Sequence, residues 1–167
     1  MTDPTDLRLD LSVPVHGRHL QLSTVNTGVP HAVVPVSSLD RVDVQGLGRQ
    51  LRFHRAFGPQ GSNVDFVETD PHQRHRVRIR TYERGVEGET LACGTGATAA
   101  AVMHALRRDA GSESRKRKDR IEVKTRSGEL LTVTLHVCGG GSQRRVTNVM
   151  LEGAVRWICR GTFPWPI

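Results

Sequence analysis

The chain has 167 residues, of which 37% are apolar and only 4% aromatic, enough for one domain with a modest core. No apolar run approaches the ~20 residues that span a membrane, and Met1 to Asp10 is too polar and acidic for a signal peptide. The net charge of +7 raises the question of a nucleic-acid partner.

Much of that basic excess gathers in Arg115-Lys116-Arg117-Lys118 with Arg120, close to Arg107 and Arg108. The run follows Gly111-Ser112 and reads as a solvated loop. Few aromatics are present to stack on bases, so neither a specific nucleic-acid partner nor a membrane is expected. Three cysteines, an odd number, argue against a disulfide framework. A cytoplasmic location with reduced thiols is expected.

In chain order, Leu7, Leu9, Leu11, Val13 and Val15 alternate with polar residues and predict a half-buried strand. His16-Gly17-Arg18 predicts a turn, and Leu20 to Val25 a return strand. Thr27 to Pro30 breaks the pattern. Ala32 to Val36 reads as a short buried strand, placed at an edge or bulge by Pro35. Ser38 is the predicted N-cap of a helix running to Arg52, with Val44, Leu47 and Leu51 on one face. Ala56 to Ser62 is a loop, and strands are predicted over Val64–Glu68 and Arg76–Tyr82. Glu83 to Thr90 is a charged turn, and a long helix follows over Thr95–Leu106. Strands Ile121–Thr125 and Leu130–Val137 flank a turn at Ser127-Gly128. Cys138 to Ser142 is a loop, and Val146–Glu152 and Ala154–Cys159 are the last predicted strands. Many short strands around one Ala-rich helix, apolar on nearly all sides, predict an α+β fold that encloses the helix.

Chemistry points to the start of that helix, Cys93-Gly94-Thr95-Gly96. A thiol there sits at the positive end of the helix dipole, beside backbone N–H groups without internal acceptors. Both effects favour thiolate, so a lowered pKa is expected for Cys93. The same amides can hold a carboxylate, and the glycines allow close approach. Cys138 and Cys159 lie at strand ends and read as structural. The His72-x-x-His75 pair lacks further ligands, so no metal is expected.

The stretch ERGVEGETLACGTGATAAA, Glu83 to Ala101, resembles the C-terminal catalytic motif of diaminopimelate epimerase. NTGVPHAVV, Asn26 to Val34, is similar to the family's Gly-x-Pro-His segment. FGPQGSNVDFVE, Phe57 to Glu68, is similar to its Gly-[Thr/Ser]-Asn-Val-[Asn/Asp]-Phe segment. The resemblance covers about Asp6 to Gly161. It implies a mixed, mostly antiparallel sheet curled into a barrel around one central helix. It also implies a cofactor-independent epimerisation of LL- to meso-diaminopimelate, in lysine and peptidoglycan precursor biosynthesis, with two cysteines as acid and base. By that resemblance Cys93 is the catalytic thiol of the C-terminal half. Gly94 and Thr95 hold the reacting carboxylate. Asn63, Glu83 and Arg84 bind the distal end of the substrate, and His31 supports the thiols. No cofactor is expected, the partner is a small molecule, and a homodimer is left open.

Three departures stand out. Glu87 is one residue more than the family's commonest form between Arg84 and Cys93, and Val29 occupies a position where many members carry Asn, with Asn26 three residues upstream. Nothing matches the N-terminal cysteine motif, and no cysteine precedes Cys93. The expectation is a single domain over 1–167, equivalent to the C-terminal half, with the N-terminal catalytic domain absent. Two alternatives remain: another racemase or isomerase of the same fold, and a non-catalytic dimerisation or binding fragment. A monocarboxylate substrate would not need Glu83 and Arg84, which argues against the first.

Overall fold

A computed structural model describes residues 1–70, 72–108, 116–140 and 144–164. Among the described residues, nine strands form one mixed sheet: β1 (Thr5–Val15), β2 (Arg18–Asn26), β3 (Pro30–Pro35), β4 (Asn63–Thr69), β5 (Arg76–Glu83), β6 (Gly88–Thr90), β7 (Arg117–Lys124), β8 (Leu130–Cys138) and β9 (Arg145–Glu152). Their order is β1-β2-β3-β4-β5-β7-β8-β9, with β6 added on β5. Two helices, α1 (Val44–Arg52) and α2 (Gly94–Arg108), connect the two parallel pairs, β3/β4 and β5/β7; the other pairs are antiparallel. Parallel neighbours need such crossovers because a tight turn cannot reverse the chain twice.

Alternation along the strands builds two cores. Val33, Val67, Val77 and Ile79 face α2, together with Ile121, Val123, Val133 and Leu135. Ala32, Val34, Val64, Phe66 and Tyr82 face the opposite way and pack with Leu39, Val44 and Leu51 of the α1 side. Every residue of α2 from Gly96 to Leu106 is buried, as an all-round apolar helix requires. Strands β2 to β5 and β7 to β9 all touch it, so the sheet wraps around it. No ladder joins the edge strands β1 and β9 among the described residues, and the sheet is open rather than a closed barrel.

The ends of α2 are treated differently. At the C-terminus, Arg117 donates to Ala105 O and Arg144 to Leu106 O, meeting carbonyls that the helix leaves unpaired. The expected solvated basic loop is therefore wrong for its described part. Arg117, Lys118 and Arg120 lie in β7, where pairing with β8 alternates Arg117 and Asp119 inward with exposed Lys118 and Arg120. Arg115 lies outside the described residues.

Other expectations change where neighbours override local pattern. Ser38 precedes only a single 3₁₀ turn and its side chain caps nothing; Asp43 caps α1 by accepting from Gly46 N at 2.8 Å. Pro35 does not mark an edge, since β3 is paired on both sides and Pro35 is merely its last residue. The turn after Glu83 contains the short strand β6. Ala154–Cys159 forms no strand and is exposed throughout. The β1–β2 turn is as expected: His16 and Gly17 both have positive φ, 48° and 73°, as a two-residue hairpin of matching twist demands.

Candidate functional site

The chain reaches α2 through Leu91-Ala92-Cys93, and Cys93 is the N-cap. Its carbonyl accepts from Ala97 N at 2.8 Å and its Sγ accepts from Gly96 N at 3.4 Å. A sulfur thus does the work usually done by a Ser or Asp oxygen. The Thr95 hydroxyl lies 3.4 Å from the same sulfur. The amides of Gly94 and Thr95, in the first turn, have no helical acceptor, and both residues are part-exposed. Thr27 donates to Thr95 O at 3.0 Å and ties this turn to the end of β2.

Beneath the turn lies a polar trio that interrupts the α2-facing core. His31 Nδ1 and Asp65 Oδ2 are 2.7 Å apart with both side chains fully buried. Thr81 Oγ1 donates to Asp65 Oδ1 at 2.8 Å. Each of the three sits on a different strand, β3, β4 or β5, at a position whose alternation points toward α2. Gly96 is the contact with the helix: a Cβ there would lie 2.5 Å from Asp65 Oδ1.

This environment reverses the expectation for Cys93. Burial pushes its thiol above the ordinary value, and the Asp65 carboxylate pushes the same way, with a lesser contribution from Glu83. The Thr95 hydroxyl and the Gly96 N–H pull downward but do not win. Cys93 therefore rests as a thiol at neutral pH. Cys138 ends β8 as anticipated, but Cys159 is exposed in a segment without regular structure. Alkylation should accordingly modify Cys159 first, with Cys93 reacting only as pH rises above the range of a free cysteine. Peptide mapping of iodoacetamide labelling against pH checks the order. Cys93 reacting first at neutral pH would show that the helix dipole outweighs burial and Asp65.

Asn63, Glu83 and Arg84 gather at the end of β5. Asn63 is buried, and its side chain ties β4 to β3 and to the residue that follows β5: Oδ1 accepts from Arg84 N at 2.8 Å and Nδ2 donates to Pro30 O at 3.0 Å. Asn63 thus first fixes where Arg84 leaves the sheet, and one amide hydrogen remains for a ligand. Glu83 and Arg84 are part-exposed, and neither side chain has an ion-pair partner among the described residues. Neighbouring arginines differ: Arg52 pairs with Glu87, Arg76 with Glu122 and Arg80 with Glu89. The extra residue Glu87 is absorbed by the turn. It takes φ 57°, its N–H returns to Glu83 O at 2.9 Å, and its carboxylate accepts from Gly85 N and Arg52. Asn26 does not stand free in place of an Asn at Val29, because its oxygen accepts from Gly28 N at 2.9 Å.

Asp65 and Thr81 were not singled out from the sequence. The available signal was Asp65 itself, a charge inside the otherwise apolar Val64-Asp65-Phe66-Val67, which a buried strand does not tolerate without a partner.

The diaminopimelate epimerase family model matches residues 23–157. This chain belongs to the diaminopimelate epimerase family. It is 51% identical over 137 residues to the diaminopimelate epimerase of Aquifex aeolicus, covering 82% of this chain and 44% of that protein. With the diaminopimelate epimerase of Chlorobaculum tepidum it shares 40% identity over 163 residues, 97% of this chain and 56% of that protein. The chain thus spans about half the length of the family members it matches. Among solved structures, a probable proline racemase from Agrobacterium radiobacter K84 with bound carbonate superposes with a TM-score of 0.60 at 15% identity, over 87% of this chain and 47% of that one. A hydroxyproline epimerase from Agrobacterium vitis gives 0.52 at 19% identity, over 91% and 52%. At such identities these two establish the shared fold alone.

Proposed function

We propose that this chain supplies one of the two acid/base thiols, and part of the substrate site, of a cofactor-independent diaminopimelate epimerase acting in cytoplasmic lysine biosynthesis. The observation that carries the reading is the Cys93 thiol capping α2 beside the Gly94 and Thr95 amides, which have no helical acceptors, with Glu83 and Arg84 near it lacking an ion-pair partner among the described residues. Inversion at an α-carbon needs a proton removed from one face and another delivered to the opposite face. The base on the far face belongs to the complementary half of the enzyme. As that base takes the α-proton, the electron pair spreads into the carboxylate, whose growing charge meets the Gly94 and Thr95 amides and the helix dipole. Cys93, resting protonated, delivers its proton to the other face and is left as thiolate; the reverse direction exchanges the roles. Glu83 and Arg84 offer opposite charges to a distal ammonium and carboxylate, so a substrate with two amino-acid ends is held in register.

Arg84 provides the test. A charge-assisted contact to the distal carboxylate contributes about 1.5–3 kcal/mol. In the enzyme completed with its N-terminal half, Arg84→Ala should lower kcat/KM for diaminopimelate by about tenfold to a hundredfold. Unchanged kcat/KM removes Arg84 from the substrate site and the diaminopimelate reading with it.

A further inference from the structure

We propose that Asp65 is a positioning residue: held by Thr81, its carboxylate keeps a proton on His31 Nδ1, so that in the neutral ring Nε2 is the acceptor at the cysteine end of α2. The reasoning is one of donors and acceptors. A carboxylate only accepts. Asp65 Oδ1 takes the Thr81 hydroxyl at 2.8 Å, and Oδ2 lies 2.7 Å from His31 Nδ1, so Nδ1 must be the donor. The imidazole cannot turn away, because its side chain is fully buried and its strand is paired on both sides. The carboxylate is equally fixed, since the backbone of Gly96 leaves no space for a Cβ against Oδ1.

Nε2 of His31 is buried and has no hydrogen-bond partner among the described residues. A buried polar atom without a partner is costly, and such an atom calls for a ligand that completes it. His31 also lines a cavity of about 310 Å³ with Arg8, Asn26, Phe57 and Ser62. None of Cys93, Gly94, Thr95, Glu83 and Arg84 lines that cavity. The orphaned Nε2 itself suits a ligand that brings an N–H donor; this clause rests on the function proposed above, in which the ligand is an amino acid and the donor its ammonium. The same carboxylate faces Cys93 from β4, as Glu83 does from β5, while Thr95 and Gly96 face it from α2 itself. One residue thereby bears on two groups: it makes Nε2 the acceptor of a neutral His31 ring, and it adds to the burial that keeps Cys93 a thiol.

The test uses the 167-residue chain labelled with ¹⁵N-histidine, at a pH where imidazoles are neutral. Long-range ¹H–¹⁵N spectra report which nitrogen of each ring is protonated, and His31 is identified by the signal missing in His31→Gln. Wild type should show Nδ1 protonated and Nε2 bare. In Asp65→Asn the Thr81 hydroxyl can donate to the amide oxygen or accept from the amide nitrogen, so the side chain no longer enforces Nδ1 as the donor. Rings protonated on Nε2 should then appear beside the Nδ1 form. The Cys93 alkylation profile, measured with Cys138→Ser and Cys159→Ser present, should shift to lower pH in Asp65→Asn. A wild-type ring protonated on Nε2 overturns the proposal without reference to any variant. So does Asp65→Asn that folds and leaves both ring and thiol unchanged. Neither readout uses substrate or a second half, so failure of the diaminopimelate reading leaves this result standing, and the converse holds.

Discussion

Purified alone, this chain should produce no meso-diaminopimelate from the LL form. When it is mixed with a separately expressed N-terminal half of a family member, inversion should appear, and Cys93→Ala should then remove it. One thiol reaches one face of an α-carbon. Cys138 ends β8 and Cys159 lies in the exposed 153–164 segment, so neither shares the helix start with Cys93. The amides of Gly94 and Thr95 are part-exposed here, and water weakens the dipoles that would stabilise developing charge. A positioned acid or base contributes about 10²–10⁴-fold, so Cys93→Ala in the reconstituted enzyme should fall by at least that factor. The measurement follows deuterium uptake and meso product together in D₂O. Turnover by the isolated chain that disappears in Cys93→Ala would place the second acid within these residues or across a homodimer interface, and the two-half reading would be abandoned.

Gly96→Ala should destabilise the chain by about 2–4 kcal/mol, although Ala is the better helix former by about 1 kcal/mol. The sign is decided by what the new Cβ meets. It lies 2.5 Å from Asp65 Oδ1 and 3.3 Å from Thr81 Oγ1. The carboxylate cannot retreat, being held by His31 on one side and Thr81 on the other. Overpacking of this kind costs about 1–3 kcal/mol, and a displaced hydrogen bond to a buried charge about 1.5–3 kcal/mol. Gly94→Ala is the control: its Cβ meets only the tip of Leu151 at 3.1 Å, which can yield. Urea denaturation of both variants decides the matter. Gly96→Ala as stable as wild type would mean that Asp65 is mobile, and the rigid trio would have to be given up.

Most of the elements, and the helix start on which the proposed chemistry rests, were legible in the residues alone. Alternation from Leu7 to Val15 and the unbroken Ala-rich run after Thr95 are local signals, and a strand with one buried face or a wholly enclosed helix follows from either without knowledge of the partner. Cys93 at a helix start was legible for the same reason, because an N-cap is defined by its neighbours in sequence. What a neighbour distant in sequence supplies was not legible. Ala154–Cys159 has strand-like composition but no strand beside it, and a strand is stabilised by its cross-strand pairs. Arg117 to Arg120 reads as a charge run in one dimension; pairing with β8 turns it into an alternation whose inner member caps α2.

The Cys93 thiol is the sharpest case. Its own helix favours thiolate, and that much is local. Its resting state is decided by burial and by Asp65, 28 positions earlier, with Glu83 adding to both. The trio of His31, Asp65 and Thr81 exists only because three strands bring three inward positions to one end of α2. Tertiary structure therefore decided the protonation and orientation of groups whose identity and approximate place were already written in the chain, because desolvation and charge act through space and not along the backbone.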